Sequence, residues 1–344
     1  MILSRVPSYS ETQTKLPPYK VVESLRLLCD GLHLIGDDAE YEKFNRMLQS
    51  ASRDSLQTDN RVFHLYLSND EMRQINEATI QLYHNPMFAI CSSFMGILGV
   101  DPALAREWYS RGFRTIAQVR ASVDAGDEIT LTELQMNGLL YYSDLNTPLY
   151  RRDVVAIADK IIAMIKKIVP RNSFIEIAGS YRRGLTSCED VTIVVANRPA
   201  KEPTGVKASI IESGSRIPTF ILTLYTKLEE SSAPASGENG LVAIVKSDQE
   251  QLSFLYRHNG VARKVNVIYA EFRARHVSLI QHTGSHDHIL RIHAAANAQG
   301  YTITSDGLYT ILSDGSLRYK RIATEESLYK TIGLKYVLPC ERIN

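Results

Sequence analysis

In the first third of the chain, hydrophobic positions recur three and four residues apart, which is the spacing of an amphipathic helix. Three segments show this pattern between Tyr19 and about Met95: KVVESLRLLCDGL, DAEYEKFNRMLQSA and SNDEMRQINEATIQLYH. Ser68 or Asn69 is placed to cap the third helix at its N-terminus. The next stretch, FMGILGVDPALAREWYSRGFRTIAQVRA, predicts a short helix, a glycine-containing turn and a second helix, and TLTELQMNGLLYYSDL predicts another helix.

The pattern changes after one more predicted helix, RRDVVAIADKIIAMIKKIV. Short β-branched runs divided by turn-rich loops predict strands, and they are FIEIAG, DVTIVVA, TFILTLYTKL, LVAIVKS, LSFLY and RKVNVIYA. The composition of EESSAPASGENG predicts a mobile hairpin tip. After Glu271 we expect a helix around DHILRIHAAANAQG and a hairpin in YTITSDGLYTI. This order of elements predicts an α+β protein of several subdomains.

Composition narrows the class of protein. The chain has 344 residues, of which 44% are hydrophobic, enough for two or three cores. The formal net charge of +1 means that any nucleic-acid footprint must be local. The four cysteines have no CxxC spacing, so we expect neither a zinc site nor a disulfide framework. We expect the protein to reside in a reducing compartment. No long apolar run or signal peptide is visible, so we expect an intracellular protein without a membrane partner.

The first residues are expected to be a loose tail, since SRVPSYSETQTKLPP is rich in Ser, Thr and Pro. We expect no separate N-terminal interaction domain ahead of the helices, and therefore no recruitment of this chain through such a domain.

The segment IAGSYRRGLTSCEDVTIVVANRP, residues 177–199, contains a candidate phosphate-binding turn. Gly179 lets backbone N–H groups approach phosphate oxygens, the Ser180 hydroxyl adds a donor, and Arg182 or Arg183 supplies positive charge. A Gly-Ser turn beside solvated arginines is the alternative, and the position between two predicted strands favours the phosphate interpretation.

Asp190 lies at the start of the second of these strands and is a candidate magnesium ligand, because Mg²⁺ prefers carboxylate and phosphate oxygens. Residues two apart on a strand share a face, so Thr192 faces the same way, while Glu189 points to the other face. Asn266 is a lone polar residue within RKVNVIYA. Taken alone, Asp190 also fits a turn-capping residue and Asn266 a hydrogen-bonded strand residue.

The stretch ILGVDPALAREWYSRGFRT resembles a helix–hairpin–helix, in which a turn offers backbone N–H groups to a DNA phosphate. Gly99 supplies the turn, and Arg106, Arg111 and Arg114 supply local positive charge. An ordinary αα-hairpin fits these residues equally well.

Together and in this order, the segments resemble family X DNA polymerases, by pattern the terminal transferase, mu and lambda branch rather than polymerase beta. GVDPALAREWYSRGFRTI and LQMNGLLYYSDL resemble the fingers of that branch, and GSYRRG with Asp190 resembles the nucleotide loop of the palm. KVNVIYA falls at the last catalytic strand of the palm, and HTGS resembles the turn beneath the incoming sugar. GYTITSDGLY and IGLKYVLPCERIN resemble the thumb.

The resemblance implies a domain plan. It runs from a flexible tail (1–18) to a helical N-terminal domain (19–85) and fingers with a helix–hairpin–helix (86–150). A palm with the nucleotidyltransferase fold and a mixed β-sheet (151–270) and a small α/β thumb (271–344) follow.

The resemblance also implies site residues. The family's three metal-binding aspartates map to Asp190, Thr192 and Asn266, so Asp190 alone would hold Mg²⁺ or Mn²⁺, and weakly. The third position also helps to deprotonate the primer hydroxyl, which an asparagine cannot do. The implied nucleoside-triphosphate site is Gly179, Ser180, Arg183, His282, Thr283, Gly284 and Ser285. The implied DNA contacts are Gly99, Val100, Ala103, Arg182 and Lys264.

Other family features are changed as well. Glu189 brings negative charge near the triphosphate, His282 replaces an aromatic residue, and Asp101 replaces a hairpin glycine. There is no lysine between Lys43 and Lys160 for lyase chemistry. A positively charged path for a phosphate backbone is expected from Arg182, Arg183, Arg263, Lys264 and Arg273.

We therefore predict a polymerase-like protein that binds DNA ends or gaps in repair or end joining and is catalytically impaired. Each missing carboxylate would remove about 4 kcal/mol of attraction to a cation about 4 Å away, at an effective dielectric near 20. A change of about 1.4 kcal/mol in the activation free energy corresponds to a tenfold change in rate. One alternative is an active DNA nucleotidyltransferase with reassigned metal ligands, and another is a protein-interaction module without DNA binding. By resemblance the compartment is the nucleus and DNA-repair proteins are possible partners.

Overall fold

The structure is a computed structural model that describes residues 18–57, 69–126, 129–198, 217–230 and 237–342. The expected N-terminal tail up to residue 17, the alternative cap Ser68 and residues 231–236 of the expected hairpin tip EESSAPASGENG lie outside these ranges. The chain divides into two compact units, Met1–Tyr142 and Ser143–Asn344.

The first unit is helical, as the hydrophobic spacing predicts. Its elements are α1 (Pro18–Ile35), α2 (Asp38–Gln57), α3 (Asn69–His84), α4 (Pro86–Met95), α5 (Pro102–Ser110), α6 (Ile116–Ala125) and α7 (Glu133–Leu140), and α8 (Tyr142–Asn146) begins at its last residue. Leu and Ile side chains make up much of its core, and Phe94 meets Trp108 edge to face at 5.6 Å between ring centroids. Removing this apolar surface from water stabilises the unit.

One stretch of this unit has an additional helix. The sequence predicts two helices in residues 94–121, whereas the structure has the end of α4 followed by both α5 and α6. The break between the last two has local causes: Gly112 has φ of +96°, and Thr115 with Gln118 forms a capping box that starts α6.

The second unit contains the sheet. Its elements are β1 (Leu149–Tyr150), α9 (Arg151–Ile165), β2 (Phe174–Ile177), α10 (Gly179–Arg182), β3 (Ser187–Cys188), β4 (Val191–Ala196), α11 (Ile217–Glu230), β5 (Gly240–Ser247), β6 (Gln251–His258), β7 (Val261–Tyr269), α12 (Arg275–Thr283), α13 (His286–Ala298), β8 (Tyr301–Thr304), β9 (Gly307–Ile311), β10 (Leu317–Lys320) and α14 (Glu325–Thr331). A 3₁₀ turn covers Pro339–Glu341.

Five strands form one mixed sheet in the order β2-β4-β7-β6-β5. Strands β4 and β7 are parallel, and the other neighbours are antiparallel. Side chains of α9 and α11 complete its hydrophobic core, which includes Ile157, Ile161 and Leu224. The α+β class, with helices first and a mixed sheet afterwards, is confirmed.

One predicted strand is wrong. TFILTLYTKL lies within α11, and Phe220, Leu224 and Leu228 are buried at four-residue spacing while Leu222 is 64% exposed. Its β-branched residues favour a strand locally, but the three-and-four spacing of the buried positions satisfies the core only as a helix.

The last part of the chain has a core of its own. Strands β8, β9 and β10 form a separate sheet in the order β10-β9-β8, so the predicted hairpin in YTITSDGLYTI is confirmed. Residues of α12, α13 and α14 pack on it, among them Ile280, Ile292 and Leu328. None of the described helices combines the length and the apolar character needed to cross a membrane.

A buried histidine makes this core sensitive to pH. The ring of His288 stacks on Tyr329 with 5.8 Å between centroids, and its Nε2 lies 2.5 Å from the Tyr329 hydroxyl. Burial first, and the nearby guanidinium groups of Arg342 and Arg291 second, lower the pKa of His288 to about 4. The folded state therefore keeps this imidazole neutral at pH values where the unfolded chain protonates it.

We expect the stability of the protein to fall as the pH drops from about 6.5 towards 4, because the unfolded state takes up a proton that folded His288 refuses. This group accounts for about 2 to 3 kcal/mol of that loss, at about 1.4 kcal/mol per pKa unit. In His288→Gln, denaturant unfolding at pH 7.5 and 4.5 should show a correspondingly smaller difference. The exposed His84→Gln variant is the control, and an unchanged pH dependence in His288→Gln would contradict the assignment.

Candidate functional site

The parallel pair of β4 and β7 brings the three predicted metal-site positions together. Thr192 and Asn266 are register partners, and Asp190 immediately precedes β4. The Thr192 hydroxyl donates to Asp190 Oδ1 at 3.0 Å, and Asn266 Nδ2 donates to Asp190 Oδ2 at 2.7 Å. Both oxygens of the one carboxylate are thus hydrogen-bonded by the two neutral residues. Thr192 and Asn266 are buried, while Asp190 stays partly exposed.

A chain of hydrogen bonds extends behind Asn266 to a cation. Ser253 Oγ donates to Asn266 Oδ1 at 2.7 Å, Gln251 Nε2 donates to Ser253 Oγ at 2.7 Å, and Lys246 Nζ donates to Gln251 Oε1 at 3.1 Å. Lys246 can only donate, so Gln251 turns its oxygen to it and its amide N–H to Ser253. Every hydrogen bond in this chain therefore has its donor on the Lys246 side and its acceptor on the Asp190 side. The positive charge of Lys246 and the negative charge of Asp190 together fix the orientation of the Asn266 amide.

These residues do not fit the two-ion site that the family resemblance implies. A two-metal centre needs converging oxygen ligands with negative charge. Here one carboxylate is available, and the asparagine presents an N–H donor towards it instead of a lone pair. No group of three His, Cys, Asp or Glu side chains suited to a metal ion occurs within the described ranges of the chain.

The predicted phosphate-binding turn lies over this network. Gly179 begins α10 with φ of +63°, which favours glycine, and a Cβ placed there would come within 3.9 Å of Asp190 Oδ1. Ser180 is buried. Arg183 Nη1 donates to the carbonyl of Thr283 at 2.5 Å, which fastens the turn to the end of α12. The structure therefore brings Gly179, Ser180, Arg183 and Thr283 into one region, as predicted.

The HTGS segment completes that region. Desolvation by the surrounding protein lowers the pKa of His282 and the charge of Asp190 opposes this effect, although the residue as a whole is exposed. Gly284 is close to Arg183, since a Cβ there would lie 3.0 Å from Arg183 Nη1. Ser285 is buried, and its hydroxyl is one of the buried polar atoms of the described chain that lack a hydrogen-bond partner.

Arg182 is engaged by protein groups. It donates to Thr283 Oγ1 at 3.1 Å and pairs with Glu325 Oε1 at 2.7 Å, and Arg342 pairs with the other oxygen of Glu325 at 2.7 Å. Glu325 and Arg342 are almost fully buried. These two ion pairs fix the predicted phosphate-binding turn to α14 and to the C-terminal segment.

The remaining predicted cations differ in availability. Arg263 donates to the backbone carbonyls of Asp144 and Thr147, both at 2.7 Å, and Arg273 pairs with Glu271 at 2.5 Å. Lys264 is partly exposed on β7, two residues before Asn266 and therefore on the same face of the strand. The expected positive path is reduced by these internal contacts, and a DNA role for Arg182 and Lys264 stays a prediction.

In the first unit, the predicted hairpin joins α4 to α5. Gly99 has φ of +84°, and the Val100 N–H already donates to the Ile97 carbonyl at 3.1 Å. Asp101 is the N-cap of α5, where its carboxylate accepts from the Leu104 N–H at 2.8 Å. This cap explains an aspartate where the family has a glycine. Ala103 is exposed on the first turn of α5.

The arginines around this hairpin are also in local contacts. Arg106 donates to the carbonyl of His33, and Arg111 pairs with Glu107 at 3.3 Å. Arg114 donates to the Tyr109 carbonyl at 2.6 Å and stacks on its ring at 3.9 Å. The hairpin geometry is present, whereas its expected DNA contacts stay a prediction.

The sequence interpretation missed the residues that support Asn266. Gln251 and Ser253 alternate with buried Leu252 and Phe254 on β6, and this period-two pattern of polar residues beside the Asn266 strand was a usable signal. The ion pair between Arg182 and Glu325 had no comparable signal in the sequence, because the two residues are more than a hundred positions apart.

Comparison with known proteins gives a consistent picture. Residues 92–146 match the fingers domain of DNA polymerase lambda, residues 149–232 the DNA polymerase beta palm, and residues 278–343 the DNA polymerase beta thumb. Relatives include a DNA nucleotidylexotransferase of Xenopus laevis and a DNA polymerase lambda of Arabidopsis thaliana, each 23% identical. These alignments cover 76% and 73% of this chain but 54% and 46% of the relatives, so the chain spans about half the length of the relatives it matches.

A solved structure has a similar fold. The polymerase beta of Leishmania infantum, described as a ternary P/T complex, superposes with a TM-score of 0.63 at 18% identity. The match covers 76% of this chain and 100% of the other.

The hydrogen-bonded carboxylate predicts a specific response to charge at position 266. In Asn266→Asp a second carboxylate would face Asp190, and like charges near 4 Å repel by about 4 kcal/mol at an effective dielectric near 20. This repulsion raises the folded-state pKa of the pair above the unfolded value, so stability is lost as the pH rises through that range. We expect the unfolding free energy of Asn266→Asp relative to the original protein to be lower by about 3 kcal/mol at pH 7.5 and nearly restored at pH 4.5.

Asn266→Ala is the matched control, because it removes the same hydrogen bonds without adding charge. Its loss of stability should be similar at both pH values. If both variants show the same pH dependence, Asp190 does not lie next to position 266 as a charged group.

Proposed function

Since the chain belongs to the family X DNA polymerases, with fingers, palm and thumb matched in order, we propose that it binds gapped or broken DNA and has impaired nucleotidyl transfer. A role in DNA repair or end joining, a nuclear location and contacts with repair proteins belong to the same proposal and rest on the family.

A single observation carries the impairment: the Asp190 carboxylate accepts hydrogen bonds from Thr192 and Asn266 where acceptor groups would be needed for cations. Replacing two anions by neutral groups removes about 4 kcal/mol of attraction per charge pair at an effective dielectric near 20. Because about 1.4 kcal/mol corresponds to tenfold in rate, the transfer step should be slower by several orders of magnitude. Asn266 also cannot act as a base for a primer hydroxyl.

Nucleotide and DNA binding depend on other parts of the chain. The turn of Gly179 and Ser180, the fixed Arg183 and the HTGS segment lie together at the end of α12, and the buried hydroxyl of Ser285 lacks a protein partner. A nucleoside triphosphate would supply oxygen acceptors at this place. The α4–α5 hairpin around Gly99 and the partly exposed Lys264 support contacts with DNA phosphates, which would be independent of sequence.

The proposal predicts that gapped DNA binds without turnover. Fluorescence anisotropy should show binding that weakens as salt rises, because phosphate contacts release counterions. Primer extension with Mg²⁺ or Mn²⁺ should be absent or very slow. The double variant Thr192→Asp with Asn266→Asp should increase extension by about a hundredfold or more, since it restores both anions.

Asp190→Asn in the same double variant is the matched control and should return extension to the background. Extension by the unmodified protein at a rate usual for polymerases would show an active nucleotidyltransferase with other ligands. Failure to bind gapped DNA at low salt would favour a protein-interaction module.

A further inference from the structure

The loop between β7 and α12 carries a cluster of arginines stacked on aromatic rings. The Arg275 guanidinium lies 4.1 Å from the centroid of the Phe272 ring, and Arg198 lies 5.7 Å from the same ring. Arg273 lies 5.0 Å from the Tyr319 ring, whose hydroxyl donates to the Arg273 carbonyl at 3.1 Å. We call Arg198, Phe272, Arg273, Arg275, Tyr309 and Tyr319 the arginine–aromatic cluster. None of these residues belongs to the Asp190 network.

The two tyrosines lie on the face of the small sheet that is opposite to its core. Tyr309 and Tyr319 are register partners on β9 and β10, with ring centroids 5.7 Å apart. Leu308, the neighbour of Tyr309, is fully buried in the core, so the tyrosines point to the opposite face. Ile311 and Leu317, the next pair on that face, are 45% and 51% exposed. The tyrosine rings themselves are partly exposed.

Several arginine side chains lie near the two tyrosines. Burial raises the pKa of Tyr319, and the guanidinium groups of Arg273, Arg321 and Arg275 oppose that shift, so three arginines lie near one phenol. The acidic groups whose charges act on Tyr309 are Asp306 and Glu271, and Glu271 also pairs with Arg273. The arginines of the cluster together with Arg321 therefore outnumber these two carboxylates.

Partly exposed rings surrounded by guanidinium groups suit a ligand with flat bases and a charged backbone. Bases stack on aromatic rings and on guanidinium planes, and phosphates accept hydrogen bonds from arginine. We propose that the arginine–aromatic cluster binds a single-stranded DNA segment, separately from the Asp190 site. This inference rests on the proposed DNA binding of the chain. An acidic peptide would use the charges but would gain little from the open tyrosine rings.

The test measures binding of the whole protein to labelled oligo(dT) of about 15 nucleotides and, separately, to a gapped duplex without single-stranded extensions. In Tyr309→Leu with Tyr319→Leu, the Kd for oligo(dT) should rise about tenfold or more, because stacked bases are lost. The Kd for the gapped duplex should stay within about twofold. Tyr309→Phe with Tyr319→Phe keeps the rings and should bind oligo(dT) almost as the original protein does.

Two further variants serve as controls, one for the loss of any exposed tyrosine and one for misfolding of the leucine pair. Tyr150→Leu removes a tyrosine that is 57% exposed elsewhere in the second unit and should change neither Kd. Arg275→Gln keeps the tyrosines and should lower the slope of log K against log salt for oligo(dT) by about 0.7. It serves in place of the leucine pair if thermal unfolding shows that the pair does not fold.

The outcomes separate the two proposals. If the protein binds the gapped duplex while the leucine pair and Arg275→Gln leave oligo(dT) binding unchanged, the cluster is not a single-strand site and the proposed function stands. If the protein binds neither oligo(dT) nor the gapped duplex, both this inference and the proposed function are wrong. If polyglutamate of equal charge displaces oligo(dT) as well as unlabelled oligo(dT) does, the cluster is a general polyanion surface and the inference is wrong.

Discussion

The hydrogen bond from Asn266 to Asp190 is the interaction on which the account of the site depends. A carboxylate at the edge of a buried sheet must be balanced by positive charge or by donors. In this chain the donors are the Thr192 hydroxyl and the Asn266 amide, and the amide is oriented by Ser253, Gln251 and finally Lys246. The network satisfies the carboxylate within the protein, so its chemistry differs from that of a cluster of acids that requires cations.

Several ion pairs and hydrogen bonds hold the predicted site residues in place around the Asp190 network. Arg182 and Arg183 hold the predicted phosphate-binding turn against Thr283, and Glu325 connects Arg182 with buried Arg342 near the C-terminus. Removal of one member of such a buried set would leave an uncompensated charge and destabilise the fold. A rigid scaffold around a carboxylate that is satisfied by neutral donors is therefore physically consistent. It also explains why arginines expected to face phosphate are turned inward.

Much of the fold was predictable because buried positions follow a regular spacing. Most helices of the first unit follow from three-and-four patterns, and β4, β6 and β7 follow from short β-branched runs. One exception is the break between α5 and α6, and another is α11, where Thr and Ile residues indicate a strand while Phe220, Leu224 and Leu228 satisfy the core as a helix. In this segment the β-branched residues locally favour a strand, whereas burial of one face against the core requires a helix. The segment is a helix because burial outweighs the local preference.

The site was predictable to the extent that it depends on strand geometry. Alternation places Thr192 with Asp190, and the parallel register then brings Asn266 to them. The roles of Asp101 as a helix cap and of Glu325 as the partner of Arg182 were not predictable, since they depend on the turn geometry and on contacts distant in sequence. Asp101 shows that a change from a family pattern can have a local structural reason.

The most direct test of the central claim is a crystal structure of the protein with a non-hydrolysable nucleoside triphosphate and Mn²⁺, using anomalous scattering to locate the ions. We expect that no pair of ions forms beside Asp190 and that Asn266 keeps its amide nitrogen directed at the carboxylate. Two manganese peaks about 4 Å apart at this carboxylate would contradict it.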